Sequence, residues 1–248
     1  MLSKDEAVCL RAVDYSETSQ IVTLFARAAG KIGAIAKGSK RPRSAFDGPI
    51  EILSYGRIVV TDVDKDKLAT LTEFQQQPGF VALRVNLFAM NCCLFAAELV
   101  NSLTHEHDAH PQLYDGLLQF LHDVNSQQAG SEKRETLALL ILFQLTLLRE
   151  VGLQPVLHRC ANCKAAFSET WRGTYFSSLA NGLICGDCEG SFTEKVRLTN
   201  KTANCLANLK TLDTVDEATL FGIEKLLVRH FTEILHRPPR MAKQVLRR

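Results

Sequence analysis

Two Cys-x-x-Cys pairs, Cys160-Ala161-Asn162-Cys163 and Cys185-Gly186-Asp187-Cys188, stand 21 residues apart. Each pair can grip one side of a tetrahedral ion, and thiolates suit Zn2+, a borderline-soft ion satisfied by four ligands. The spacing therefore predicts one Zn2+ held by Cys160, Cys163, Cys185 and Cys188 in a zinc-ribbon-like module. Four protein ligands leave no open coordination position, so the expected ion is structural. Four unrelated buried cysteines would be a coincidence at this spacing. A single redox dithiol would sit at a helix N-terminus in a βαβ unit, and no such unit is visible. Across residues 159–197 five bases stand against four acids, which suits a strut between helices better than a DNA-binding face. Cys9, Cys92, Cys93 and Cys205 have no such partners and read as small core residues.

The second pattern is electrostatic. Between Glu17 and Asp47 run 29 residues without an acid, carrying six bases: Arg27, Lys31, Lys37, Lys40, Arg41 and Arg43. Four of the six fall in Lys37-Gly38-Ser39-Lys40-Arg41-Pro42-Arg43, with Phe46 just after. A solvated turn is one reading of such a cluster. The acid-free span favours the other, a nucleic-acid-binding loop on a small barrel, its cations on phosphates and an aromatic nearby. A further acid-free stretch contains Arg237, Arg240, Lys243, Arg247 and Arg248. It could extend one phosphate track, although a charged C-terminal tail is commonplace.

Catalytic patterns are missing. The chain has no phosphate-binding glycine loop with Lys-Ser/Thr, no GxSxG and no HExxH. His105, His107 and His110, with Glu106 and Asp108, read as a solvated connection between helices rather than a metal site. Asp62, Asp64 and Asp66 alternate with Val63, Lys65 and Lys67, which reads as a hairpin turn rather than a two-metal nuclease centre. The chain is read as a non-enzyme.

The elements that must position these groups fall into two kinds. Residues 5 to about 75 contain short β-branched runs separated by turn residues, among them Val8–Val13, Gln20–Phe25, Gly30–Gly38, Tyr55–Val60 and Leu68–Thr72. These predict about five antiparallel strands, and a small closed barrel buries five strands without open edges. From Phe80 the period becomes helical. Leu83, Leu87, Met90, Leu94, Ala97 and Leu103 mark one helix, and Pro111 opens a second that runs to about Val124. Gln127 to Ser131 forms a loop, and Ser131 caps a third helix that ends at Val151-Gly152. In that helix Leu139 to Phe143 are read as completely buried. Thr199 caps a short helix, and Thr214-Val215-Asp216-Glu217 reads as a capping box opening a last helix to about His236. The expected fold is α+β and multidomain: a barrel domain over 1–79, a helical domain over 80–155 and 195–248, and an inserted zinc module over 156–194.

Of 248 residues, 46% are hydrophobic and 23% charged, with a net charge of +2. That is globular composition, and the small net charge leaves the distribution of bases to carry any argument about partners. The opening residues lack the basic-then-apolar order of a signal peptide. The longest uninterrupted apolar run, Leu137 to Phe143, is seven residues, where a membrane span needs about 20. A cytoplasmic protein is expected, in which paired cysteines bind metal rather than form disulfides.

The chain also resembles a known family. Glu6 to Arg11, Asp14-Tyr15-Ser16-Glu17-Thr18-Ser19-Gln20 through Phe25, and Gly30-Lys31-Ile32-Gly33-Ala34-Ile35-Ala36-Lys37-Gly38 into Arg43-Ser44-Ala45-Phe46 resemble the opening of the bacterial DNA-repair family RecO. The four-cysteine element lies where many members carry a zinc finger. Gly48 to Leu53 and the ending Arg237-Pro238-Pro239-Arg240 depart from the pattern. The resemblance implies an N-terminal OB-fold barrel, a helical domain and a zinc finger. It implies a recombination mediator that binds single- and double-stranded DNA and anneals complementary strands. Its implied partners are RecR, the C-terminal tail of the single-stranded-DNA-binding protein, and RecA, which it helps to load; its implied place is the nucleoid during repair. The tail would dock in an apolar groove of the helical domain. Two other readings stand beside it: a zinc-ribbon nucleic-acid-processing enzyme, and a scaffold whose basic loop docks an acidic protein tail.

Overall fold

The computed structural model describes residues 2–46, 48–61, 68–127 and 133–247. The expected hairpin turn at Asp62 to Lys67, the helix cap at Ser131 and the last base, Arg248, lie outside the described residues. The chain divides into two compact units, Met1–Ser126 and Gln127–Arg248.

In the first unit five strands close into a barrel in the order β1-β2-β3-β5-β4. They are β1 (Ser3–Asp14), β2 (Gln20–Ala26), β3 (Gly30–Ala36), β4 (Tyr55–Thr61) and β5 (Ala69–Gln76). β1 pairs with both β2 and β4, and its register shifts between Cys9 and Arg11, where the long strand bends from one neighbour to the other. Four seams are antiparallel, but β3 and β5 pair in parallel through Ala34–Ala36 and Ala69–Leu71. The all-antiparallel expectation fails there for a geometric reason: a closed ring with an odd number of strands cannot alternate direction throughout. The interior is filled by alanines, among them Ala7, Ala26, Ala34, Ala36 and Ala69, together with Leu24, Ile32, Ile50, Ile58 and Leu71, and Phe46 and Phe74 are its largest side chains. Gly56, at φ 154°, allows the closure, since a Cβ there would lie 2.0 Å from the Gln75 carbonyl oxygen.

Helices α1 (Leu87–Leu103) and α2 (Pro111–Ser126) belong to the same unit. The expected single helix from Phe80 is two elements. A short 3-10 turn covers Val81–Val85, and extended Asn86 then caps α1 by accepting from the Ala89 N–H. Leu87, expected on the buried stripe, is exposed. The buried residues are Ala89, Cys92, Cys93, Phe95, Ala96, Ala97, Leu99 and Val100, so of the expected stripe Ala97 and, before the helix, Leu83 are buried. Cys9 and Cys93 are sealed in apolar surroundings, and burial pushes both thiols up to about 12.

The second unit pairs α3 (Lys133–Glu150) with α5 (Glu217–Leu235). α3 ends where expected, with Gly152 at φ 76° and the Leu153 N–H bonded to the Leu148 carbonyl. Its apolar run is not completely buried, because a helix turns every side in about two turns: Leu142 is exposed and Leu139 partly so. Thr199 caps α4 (Asn200–Ala207) as expected. α5 is capped by Asp216, which accepts from the Thr219 N–H; Thr214 instead donates to the Thr211 carbonyl. A carboxylate at the N-cap satisfies the same orphan amides and also suits the positive end of the helix. The basic C-terminal stretch is not a free tail: it contains α6 (Ala242–Val245), whose Ala242 and Val245 are buried.

Two ionisable groups are sunk in this unit with opposite consequences. Glu224 on α5 is fully buried, and its Oε1 accepts from Gln144 Nε2 at 2.9 Å. The atoms left unpartnered, Glu224 Oε2 and Gln144 Oε1, are the two that a proton on the carboxyl would join. Burial raises Glu224 from 4.5 to about 7, against the opposing hydrogen bond from Gln144. His230 lies edge-on to Phe176, and burial lowers it from 6.5 to about 4, the Glu194 carboxylate resisting. Glu224 thus costs stability as pH rises from 4.5 to 7, by on the order of 3 kcal/mol. His230 costs stability as pH falls from 6.5 to 4. Between 4.5 and 6.5 the two slopes oppose and nearly cancel. Glu224→Gln should remove one of them. Denaturant unfolding of this variant should show stability rising from pH 4.5 to 6.5 and no further fall up to pH 8. A wild-type pH profile retained by the variant would refute the assignment.

Candidate metal centre and nucleic-acid interface

The metal centre is built by two turns brought together by a small sheet of order β7-β6-β8, with β6 Thr174–Ser177, β7 Gly182–Cys185 and β8 Val196–Arg197. In the first turn the Lys164 N–H returns to the Cys160 carbonyl at 3.0 Å, with Lys164 at φ 66°. In the second the Cys188 N–H returns to the Cys185 carbonyl at 3.1 Å. A hydrogen bond from the Ala161 N–H to the Leu183 carbonyl, 2.7 Å, ties the first turn to β7. The four sulfurs consequently lie within 4.8 Å of one another, and Cys163 Sγ is 3.8 Å from Cys185 Sγ. Four ligands about 2.3 Å from a central ion stand about 3.8 Å apart in a tetrahedron, so the cluster is placed to bind a metal ion. Within this cluster burial pushes the Cys160 thiol up, but N–H groups of Cys185, Cys163 and Asn162 outweigh it and lower the group, while Cys163 and Cys185 are raised, so ligation displaces protons from the thiols. The apolar surround is small: Ile184, with Trp171, Tyr175 and Phe192 partly buried around the cysteines. The His105–His110 segment gathers no comparable ligand set among the described residues. It is the connection between α1 and α2, with His110 bonded to Asp108.

The six candidate phosphate-binding bases all lie on the barrel unit, in three different situations. Lys37, Arg41 and Arg43 are exposed and form no ion pair among the described residues. Lys40 is half-buried and pairs with Asp14 at 2.8 Å. Arg27 and Lys31 are engaged elsewhere. Arg27 meets Asp115 of α2 with two bonds of 2.8 Å, which hold the guanidinium more firmly protonated and the carboxyl below its ordinary range. Lys31 Nζ donates to the carbonyls of Asn101 and Thr104 at the end of α1. Burial lowers its pKa, with Glu106 resisting.

A buried network fixes the basic loop. Gln20, inside the barrel wall, accepts at Oε1 from Ser39 Oγ and from the Ile50 N–H, both 2.9 Å, and donates to the Ile50 carbonyl. Gly38 at φ 76° and the Arg41 N–H bonded to the Gly38 carbonyl shape the turn. Lys40 and Gly38 also donate backbone N–H bonds to Thr18 and Ser19, so the β1–β2 turn and the basic loop form one surface. Phe46, expected beside the bound strand, is instead buried and plugs the barrel with Ile50 and Phe74. The aromatic that sequence reading passed over is Tyr15, 64% exposed in the β1–β2 turn. Its signal was its place among the turn residues Asp14, Ser16 and Ser19.

Comparison with known proteins adds a second line. Residues 1–77 match the family described as "Recombination protein O N terminal", and residues 84–241 the one described as "Recombination protein O C terminal". A DNA repair protein RecO of Alkaliphilus metalliredigens is 34% identical over 209 residues, which cover 83% of this chain and 81% of that protein. One from Bacillus subtilis is 31% identical over 207 residues, covering 83% and 76%. One from Anaeromyxobacter dehalogenans (strain 2CP-C) is 32% identical over 203 residues, covering 82% and 77%. Among the described residues no helix is long and apolar enough to cross a membrane.

Proposed function

We propose a function from one premise: the chain belongs to the RecO family of DNA repair proteins. It acts as a recombination mediator in the cytoplasm, at the nucleoid during repair. It binds single- and double-stranded DNA, anneals complementary strands, and with RecR helps load RecA onto DNA covered by the single-stranded-DNA-binding protein. It works stoichiometrically and not as an enzyme. The observation that carries this reading, beside the family, is the exposed set Lys37, Arg41 and Arg43, without an ion pair among the described residues, on a loop anchored to the barrel. Annealing requires two polyanions to approach, and cations that neutralise phosphates without reading bases serve that purpose. Lys40 joins them when phosphate displaces Asp14. Arg27 and Lys31 complete the proposed six as its weaker members, since Asp115 balances the charge of Arg27 and the donors of Lys31 hold the end of α1.

In the same reading the four cysteines hold one structural Zn2+, with Cys160, Cys163, Cys185 and Cys188 as thiolates. Occupied, the site would cross-link the two turns and supply no reactive position. The acidic, Phe-ended tail of the single-stranded-DNA-binding protein docks in an apolar groove of the helical domain. The full chain should accelerate annealing of complementary oligonucleotides at low salt without ATP or added divalent metal, read by fluorescence quenching. No acceleration, with or without the single-stranded-DNA-binding protein, would defeat the mediator reading. Dependence on ATP or a divalent ion would favour a processing enzyme.

A further inference from the structure

The four sulfurs of the metal centre are not equally sheltered. Cys160, Cys185 and Cys188 are buried, whereas Cys163 is exposed. Cys9, Cys92, Cys93 and Cys205 are buried as well, so Cys163 alone among the described cysteines meets solvent. The cause is local. Cys163 closes the first turn and is followed by Lys164, in the left-handed region at φ 66°, and by exposed Ala165 and Ala166, which have only methyl groups to offer. Lys164 folds back on its own turn, its Nζ donating to the Ala161 carbonyl at 2.6 Å. The larger side chains Trp171, Tyr175 and Phe192 pack instead against the cluster of Cys160, Ile184, Cys185 and Cys188.

A metal-bound cysteine is held as its thiolate, and the thiolate is the form that oxidants attack. Where one of four ligands is open to water, a small oxidant meets that one first. A second sulfur stands ready beside it. Cys185 Sγ, on the other turn, is 3.8 Å from Cys163 Sγ, and a modest closing movement brings the pair to the S–S length of about 2.0 Å. Cys160 is fully buried, with its sulfur accepting from the Cys185 N–H at 3.5 Å.

We propose that Cys163 is an oxidation site, at which a hydroperoxide converts the metal centre into a Cys163–Cys185 disulfide and sets the metal free. Cys163 Sγ attacks one peroxide oxygen, the O–O bond breaks, and hydroxide leaves, giving a sulfenic acid. Cys185 Sγ then attacks the sulfenic sulfur, forms the S–S bond and expels a second hydroxide. In sum two thiolates and one hydrogen peroxide give a disulfide and two hydroxides; the sulfurs lose two electrons and the peroxide gains them. Cys160 and Cys188 are left as a two-ligand remnant, too few to retain the ion tightly. The new bond joins the same two turns that the metal joins, so the module exchanges one cross-link for another. The proposal rests on the metal-centre reading above and adds that one ligand of the closed site reacts.

The test treats the reduced, zinc-loaded full chain with hydrogen peroxide beside a chromogenic zinc indicator, then alkylates the remaining thiols and digests with trypsin. Zinc release and disulfide should rise together, and two of the eight cysteines should escape alkylation. Trypsin cuts after Arg159, Lys164, Arg172 and Lys195, which places Cys160 and Cys163 on one peptide and Cys185 and Cys188 on another. The disulfide should join these peptides, and fragment masses should place it at Cys163 and Cys185. A thiol reductant with added Zn2+ should restore the site. Cys163→His keeps four ligands, as Cys3His sites do, and should release zinc about tenfold or more slowly under peroxide, the exposed thiolate being gone. If that variant holds no zinc, the disulfide mapped in the wild type decides alone. Zinc retained with all eight cysteines alkylated would overturn the oxidation site and leave the structural metal standing. A disulfide between any other pair, or release from a zinc-loaded Cys163→His at the wild-type rate, would overturn it too. Reduced protein purified without metal would remove the metal reading, and this proposal with it.

Discussion

Cys160→Ser should lower the melting temperature of the unit that contains it by about 15 °C and abolish tight metal retention. The reasoning begins with how little else holds the module. Around the four cysteines the packed residues are one fully buried Ile184 and a few half-buried side chains, on strands of four, four and two residues. So small a core does not offset the entropy of ordering two turns. Ligation must contribute that difference, because a site absent in the unfolded chain returns its binding energy as folding energy. Loss of one ligand on the order of 4 kcal/mol would move the transition of a unit this size by about 15 °C. Treating the wild type with a strong chelator should produce a similar fall, and the same treatment should leave Cys160→Ser unchanged. A chromogenic assay after denaturation should release one Zn2+ per wild-type chain. Reductively purified protein without metal, and with the variant melting at the wild-type temperature, would refute the structural site.

What could be read from the sequence follows from where each constraint resides. The cysteine site was legible because its constraint is local: two turns with fixed ligand spacing, whatever holds them together. The barrel was legible as alternating short runs, but the parallel seam between β3 and β5 is a property of the closed ring, and no single strand carries it. The α1 stripe was legible in part: Leu83 and Ala97 are buried, but Leu87 is exposed, and Ala89, Cys92, Cys93, Phe95, Ala96, Leu99 and Val100 make up the rest of the buried face. Phe46 and Tyr15 exchanged places for a related reason. Both are aromatics next to turn residues, and although Tyr is the more polar, only the closed barrel decides that Phe46 is its plug and that Tyr15 stands in water. Likewise the six bases looked equivalent in an acid-free span, yet Asp115, Asn101 and Thr104, 70 to 88 residues away, engage two of them. Long-range partners are invisible to composition.

That division among the bases sets the outcome for the loop. Changing Lys37, Lys40, Arg41 and Arg43 together to alanine should flatten the salt dependence of single-strand binding and suppress annealing. Three to five phosphate contacts on a single strand give a slope of log K against log salt of about −2 to −4, and removing four cations should bring it near zero. Stability should be almost untouched. The loop is anchored by Ser39, Gln20 and Ile50, none of which is changed. Of the four replaced side chains, only Lys40 has an ion pair among the described residues, with Asp14, which is 65% exposed. Exposed pairs contribute about 0–1 kcal/mol, so the melting temperature should stay within a few degrees and the metal content should not change. Arg27→Ala offers the contrast. It breaks the bidentate contact with Asp115 and should leave the salt slope nearly as it was. A quadruple variant that anneals at the parental rate would show that the barrel loop is not the DNA site. The exposed bases Arg237 and Lys243, with Arg240 between them, would then be the next to replace.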